Sequence, residues 1–155
     1  MNANVTQTSK EITIPQIRKI HTQFGQLAWL KKDGVIRDFT NDRTSSCKDL
    51  TCAEASDLIN YLEDTLKGNY SKRIDVILSI VTIAREWGYI YGHTDIDTQI
   101  NHYLLDKFCL ERGAVKKKLI VQTLTELKRT LRQFKAILKS KTDFKICISA
   151  ISPNE

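Results

Sequence analysis

The sequence predicts an all-α fold, and three features of its 155 residues predict it. Glycine (6) and proline (2) are scarce, and Pro15 and Pro153 stand near the ends, so the interior lacks the turn residues an all-β domain needs. Apolar residues recur at three- and four-residue spacing along successive segments. Those segments open on capping residues and close on basic residues or glycine. The reading is two related helical hairpin units packed as one compact body. It divides the chain into a flexible N-terminus (1–11), a first unit (12–68), a second unit with a basic final helix (69–139) and a C-terminal tail (140–155).

The first helix opens at Thr13-Ile14-Pro15, where threonine caps and proline is tolerated in the first turn. Ile17, Ile20, Phe24 and Leu27 form its stripe, and Trp29 and Leu30 lie close to its end. Lys31-Lys32-Asp33-Gly34 breaks the pattern, and a short helix from Val35 to Asn41 turns Val35, Ile36 and Phe39 inward. Asn41 to Ser46 is a loop. Thr51 followed by Glu54 is a capping box, with Leu50 as the apolar residue before it. The helix it starts carries Ala55, Leu58, Ile59, Leu62 and Leu66 and ends at Lys67-Gly68.

The second half begins with a helix bearing Ile74, Ile77, Leu78, Val81 and Ala84, closed by Trp87-Gly88. Tyr89 to Thr94 is a turn. Asp95 is placed to cap the next helix, whose inward face is Ile96, Ile100, Tyr103 and Leu104. Lys107 to Arg112, around Phe108, makes a second short helix. Leu119 to Leu138 is a long amphipathic helix with Leu124, Leu127, Leu131, Phe134 and Leu138. Phe144 to Ile148 alternates like a strand, and it reads equally as an ordered tail docked on the body or on a partner.

The halves echo each other. Phe39, Arg43, Lys48, Leu50, Leu58 and Leu62 recur, shifted by 69 residues, as Phe108, Arg112, Lys117, Leu119, Leu127 and Leu131. The tryptophans recur with a shift of 58, which implies an insertion around Gly92 to Gln99. A helical unit too small to bury its own stripe gains by packing on a copy of itself. Trp29 and Trp87 are then wedges between helices. Arg43 and Arg112 project from the ends of the short helices, to brace the next loop or to meet a phosphate.

Charge is the main functional signal. The net charge is +6, and residues 1–70 are neutral, with nine basic and nine acidic side chains. Residues 107–145 hold twelve lysines and arginines against Glu111, Glu126 and Asp143, a local excess of nine. Concentrated positive charge attracts polyanions and supplies sequence-independent affinity by counterion release; a solvated helix face is the plain alternative. The candidate nucleic-acid-binding residues are Arg43, Lys48, Arg112, Lys116, Lys117, Lys118, Lys128, Arg129, Arg132 and Lys135. Without a recognition helix rich in base readers, these would hold phosphate with little sequence specificity.

Other chemistry is weaker. Cys47, Cys52, Cys109 and Cys147 form no CxxC pair and lack histidines at zinc-ligand spacing, so they read as free thiols in a reducing compartment. His93, Asp95, Asp97 and His102 are rich in ligand atoms, but a loop entering a capped helix explains the same residues. There is no Gly-rich phosphate loop, HExxH or GxSxG motif. The expectation is a non-enzyme without cofactor or metal. The N-terminus lacks the basic and apolar regions of a signal peptide, and Ile74 to Ala84 is too short for a bilayer, so a cytoplasmic protein without a membrane partner is expected.

Ile14-Pro15-Gln16-Ile17-Arg18-Lys19-Ile20-His21, then Arg43, Ser45-Ser46-Cys47-Lys48-Asp49-Leu50-Thr51, Glu54, Ala55, Leu58 and Ile59, form one block. A second contains Glu86-Trp87-Gly88 and Leu105-Asp106-Lys107-Phe108-Cys109. Together these resemble the phage Mu GemA-type regulatory proteins of Mu-like phages and prophages, over residues 12–138. The chain departs from that pattern at Lys116-Lys117-Lys118 and from Lys139 onward. The resemblance implies a phage-encoded regulator in a bacterial host cell, acting on host gene expression or DNA metabolism without enzymatic activity. Similar Ile-Arg-Lys-Ile-His segments accompany phage recombination proteins. The partners this suggests are DNA or RNA through 107–145, or a host regulatory or DNA-processing protein. In the adaptor alternative, the basic helix and the tail meet an acidic protein surface.

Overall fold

Thr13, Thr51 and Thr94 each accept a hydrogen bond from the backbone N–H three residues on, and the side chain there (Gln16, Glu54, Asp97) reaches back to the threonine N–H. These reciprocal bonds satisfy amides that a helix start leaves unpaired and so fix where three helices begin. The computed structural model describes the backbone of residues 10–151 and the side chains of residues 10–142. Over that span the fold is all-α. Its helices are α1 (Ile14–Gln26), α2 (Lys32–Thr40), α3 (Cys52–Leu66), α4 (Tyr70–Glu86), α5 (Asp95–Glu111) and α6 (Leu124–Ile151), with single 3-10 turns at Cys47–Asp49 and Leu119–Val121. No strand occurs among the described residues; one isolated bridge joins Glu11 to Thr51.

The chain divides into two compact units between Asn69 and Tyr70. In the first, α1 lies parallel to α3. Gln16 Nε2 donates to the Cys52 carbonyl (3.1 Å), Gln23 Nε2 to the Ile59 carbonyl (3.5 Å), and Lys19 pairs with Glu63 (2.6 Å). Ile20, Ile36, Ala55, Leu58 and Leu62 are completely buried between these helices and α2. The chain enters the unit pinned: Cys52 N–H donates to the Lys10 carbonyl (2.7 Å) and Ile12 N–H to the Leu50 carbonyl (3.2 Å). Lys10 is therefore tied to the body through its carbonyl; residues 1–9 of the expected flexible N-terminus lie outside the described residues.

In the second unit α4 packs against α6, with α5 and the second 3-10 turn closing the core. Its centre is aromatic. Trp87 stacks on Tyr89 at 4.9 Å between ring centres and meets Phe108 and Phe134 edge-on at 5.7 and 6.0 Å. Phe108 and Phe134 touch at 5.0 Å. Edge-to-face contacts of this kind add to the area the rings bury.

Several expectations are corrected. Residues 32–34 belong to α2, so the break between the first two helices falls at residues 27–31 rather than at Lys31 to Gly34. The fifth helix is one piece, not two, and Thr94 caps it while Asp95 is its first residue. Its inward face is Asn101, Leu105, Phe108 and Cys109. Ile96, Ile100 and Tyr103 are 70%, 50% and 65% exposed. The helix carries two apolar stripes, and the one continuous with Phe108 joins the aromatic cluster. Leu78 and Leu66 also face solvent. Trp29 is 57% exposed and does not wedge between helices, whereas Trp87 does. The final helix starts at Leu124, because Leu119–Val121 is a 3-10 turn and Thr123 with Glu126 forms a further capping box. Its backbone stays helical to Ile151, so Phe144 to Ile148 is neither strand nor extended tail. Extending a nucleated helix adds one backbone bond per residue, while a lone strand finds no edge to pair with.

Candidate nucleic-acid interface

The roll of α6 about its axis is set by what it buries. Leu127, Thr130 and Phe134 are completely inaccessible, one turn after another. Thr130 Oγ1 donates to Gln122 Oε1 (2.7 Å), and Gln122 Nε2 donates to the Lys117 carbonyl (2.8 Å). A buried side-chain amide held at both ends is a rigid strut. With those positions inward, Lys128, Arg129, Arg132, Lys135 and Lys139 stand on the exposed side. No aspartate or glutamate occurs between Leu127 and Thr142. Lys128, Arg132, Lys135 and Lys139 follow at spacings of four, three and four, about one cation per helical turn over roughly 16 Å.

The loop before α6 is docked along the same helix. Gln133 bridges it twice, accepting from Ala114 N–H (2.7 Å) and donating to the Arg112 carbonyl (2.8 Å). This holds Arg112, itself exposed at the end of α5, near the flank that carries Arg129 one turn before Gln133. Gly113 sits where the chain crosses its own helix. A Cβ there would come within 2.3 Å of the Cys109 carbonyl oxygen, so this close approach needs glycine.

The expected basic residues separate into two kinds. Lys117 is half-buried and pairs with Glu126 (2.7 Å), whose other oxygen caps Thr123 N–H (2.9 Å). Lys116 Nζ donates to the Glu111 carbonyl (2.7 Å). Lys118 is half-buried beside Asp106, whose Oδ1 accepts the Leu119 N–H (3.1 Å). Burial raises the Asp106 carboxyl above the ordinary aspartate value, although that hydrogen bond and the Lys118 charge oppose the rise. These three lysines brace the loop. Arg112, Lys128, Arg129, Arg132 and Lys135 face outward, and Lys139 joins them. Lys141, further along, lies over the Trp87 ring at 5.2 Å.

Arg43 and Lys48 belong to the first unit. Arg43 braces: it donates to the Asp49 carbonyl (2.9 Å) and pairs with Glu54 (2.6 Å). Burial disfavours the charged Glu54 carboxylate, but bonds from Thr51 and Arg43 outweigh it and hold the group below the ordinary glutamate range. Lys48 is exposed in the 3-10 turn.

No family model, curated protein or solved structure matches this chain. The GemA-type resemblance therefore rests on the sequence blocks alone.

No group of three or more metal-ligating side chains comes together among the described residues. Asp97 is engaged in the Thr94 cap (2.7 Å to the hydroxyl), which holds its carboxyl below the usual range. Cys109 is buried in the second core, and burial with the Asp106 charge pushes its thiol up to about 12, against a partly compensating bond from Gln122. Such a thiol stays protonated and is a poor nucleophile. No described helix is long and apolar enough to cross a membrane.

Sequence reasoning missed Gln122, Thr130 and Gln133, which position the basic loop. Polar residues on an amphipathic helix read as solvent-facing, and nothing local marks a pair that meets in the core. The Thr123-Leu-Thr-Glu126 box was legible, since it repeats the pattern at Thr51-Cys-Ala-Glu54.

Proposed function

We propose that this chain is a non-enzymatic regulatory protein that binds nucleic acid with low sequence specificity, of the phage or prophage kind its sequence blocks resemble. The observation that carries the reading is the outer face of α6. Six cations lie between Leu127 and Thr142 without one acidic residue, and five of them line the exposed side of a helix whose roll is fixed by its buried side. A solvated face that serves only solubility more commonly mixes both signs. The lysines are long point charges and the arginines planar forks, both suited to phosphate, and the amides that could read base edges are occupied internally at Gln122 and Gln133. Modulation of host gene expression or DNA metabolism follows from the GemA-type resemblance. The shared order of elements in the two units, each ending on a capped helix after a 3-10 turn, supports reading them as copies of one helical repeat.

The test is binding of labelled mixed-sequence DNA at two salt concentrations, by wild type and by a variant with Arg112, Arg129, Arg132 and Lys135 changed to Gln. Binding that steepens with falling salt and is lost in the folded variant supports the reading. Absence of binding at low salt refutes it and leaves an acidic protein surface as the partner of the same face, to be sought by pull-down.

A further inference from the structure

The α6 stripe fits one form of nucleic acid better than others. Resting on the nucleic-acid reading above, we infer that the ligand of this face is a duplex, gripped through its phosphates by Lys128, Arg132, Lys135 and Lys139.

The first ground is spacing. The four side chains rise along the helix by about 6, 4.5 and 6 Å, a regular ladder set by helix geometry. The helix that carries the ladder is held in one roll, because Leu127, Thr130 and Phe134 are completely buried behind it and the Gln122–Thr130 bond ties that side down. A row of cations anchored at regular intervals on one helix gains most from a polyanion whose own charges are regularly spaced and already ordered. A duplex provides one, whereas a flexible single strand must be ordered at an entropic cost to match it.

The second ground is the chemistry between the charges. The remaining exposed residues of α6 within the described side chains are Thr125, Arg129, Ala136, Ser140, Lys141 and Thr142. All but the two cations are small, so a phosphate ridge can approach the helix closely. Single-strand binders add ring stacking to charge, with about 1–3 kcal/mol per base from each aromatic platform. No ring stands among the exposed residues of α6 within the described side chains, and Trp87, which Lys141 covers, is half-buried and stacked on Tyr89. A backbone-only grip reads duplex shape rather than bases.

The experiment compares three probes under one set of conditions: a mixed-sequence duplex, a dT homopolymer of the same length, and heparin as a polyanion without bases. Fluorescence anisotropy follows the two DNA probes, and heparin is added as competitor. Wild type is expected to bind the duplex at least about tenfold more tightly than the single strand. Removing the four stripe charges (Lys128→Gln, Arg132→Gln, Lys135→Gln, Lys139→Gln) should flatten the salt slope for duplex by about 0.9 per lost phosphate contact, some three to four in all. A variant with the three lysines changed to Arg should keep both preference and slope, which guards against misfolding as the cause. Equal or tighter binding of the single strand overturns the duplex assignment while leaving nucleic-acid binding intact. Duplex binding that the stripe variant does not weaken overturns the assignment to this face. No binding to either DNA probe overturns both readings together. Heparin competing as well as duplex at equal charge overturns the shape argument.

Discussion

Thr130 is where the structure makes its most specific claim about how the basic loop is held. Its hydroxyl is wholly buried and donates to Gln122 Oε1 at 2.7 Å, and Gln122, equally buried, passes the bond on to the Lys117 carbonyl at 2.8 Å. Thr130→Val keeps the shape and removes the donor. It loses one buried hydrogen bond and leaves an amide oxygen without its partner, which costs about 1–3 kcal/mol. The Cys109 thiol also lies beside Gln122, so partial rescue places the expected loss near the middle, about 2 kcal/mol. For a unit of this size a loss of 2 kcal/mol lowers the melting temperature by roughly 8–16 °C. Urea denaturation followed by tryptophan fluorescence measures it, because Trp87 reports on the same core. Gln122→Leu in the Thr130→Val background removes the stranded acceptor, so the double variant should lose clearly less than the sum of the singles. A single-variant loss under about 0.5 kcal/mol, or strictly additive losses, would refute the strut.

Other consequences follow from individual contacts. Asp106→Asn keeps an acceptor for Leu119 N–H and removes a charge that burial disfavours. The folded-state pKa is raised, so wild-type stability falls as pH rises from the ordinary aspartate value through the raised one. The variant should be the more stable at neutral pH, and thermal melts should converge in acid. Glu54→Gln acts with the opposite sign. The folded pKa of Glu54 is depressed, so its contribution is present above the ordinary glutamate range and lost as pH falls through the folded value. The expected cost at neutral pH is up to about 1 kcal/mol, and Arg43→Gln should add little to it in a double-mutant cycle. The two tryptophans should separate sharply: Trp87→Ala costs about 3–5 kcal/mol and Trp29→Ala under about 1 kcal/mol by chemical denaturation.

How far the sequence revealed the fold depended on what each signal measures. Caps are local chemistry, and Thr13 and Thr51 begin their helices where the sequence placed them. The long apolar stripes of α1 and α3, apart from Leu66 at the end of α3, also read correctly, since each has one wet face. On α5 the sequence carries two stripes, and only the aromatic cluster formed with Trp87 and Phe134 decides which is buried. The alternating tail misled for a related reason: Phe144-Lys-Ile-Cys-Ile has strand-like alternation, but α6 arrives already formed and carries its backbone through. Of the candidate site, charge located the face and tertiary structure sorted it. Sequence cannot distinguish Lys117, which meets Glu126 across a loop, from Lys128, which faces solvent.

The register between the two units carries the last prediction. Matching residue identities gives a shift of 69, which pairs Leu58 with Leu127. The capped helix starts give 72 instead: Thr51 answers Thr123, and Glu54 answers Glu126. Three residues turn a helix through about 300°, close enough to a full turn for the wrong register to keep apolar residues on nearly the same face. Under the shift of 72, Leu127 occupies the position of Ala55, and both are completely buried. The same frame position then holds a large side chain in one unit and a methyl group in the other, so each core is packed to its own volume. Leu127→Ala should open a cavity and cost about 2–5 kcal/mol, and Ala55→Leu should overpack and cost about 1–3 kcal/mol. Both are read from denaturant midpoints at unchanged m-value, which keeps the comparison to native packing. If Ala55→Leu stabilised the protein, the first unit would have room for the leucine, and the idea that the two cores are filled separately within one register would fail.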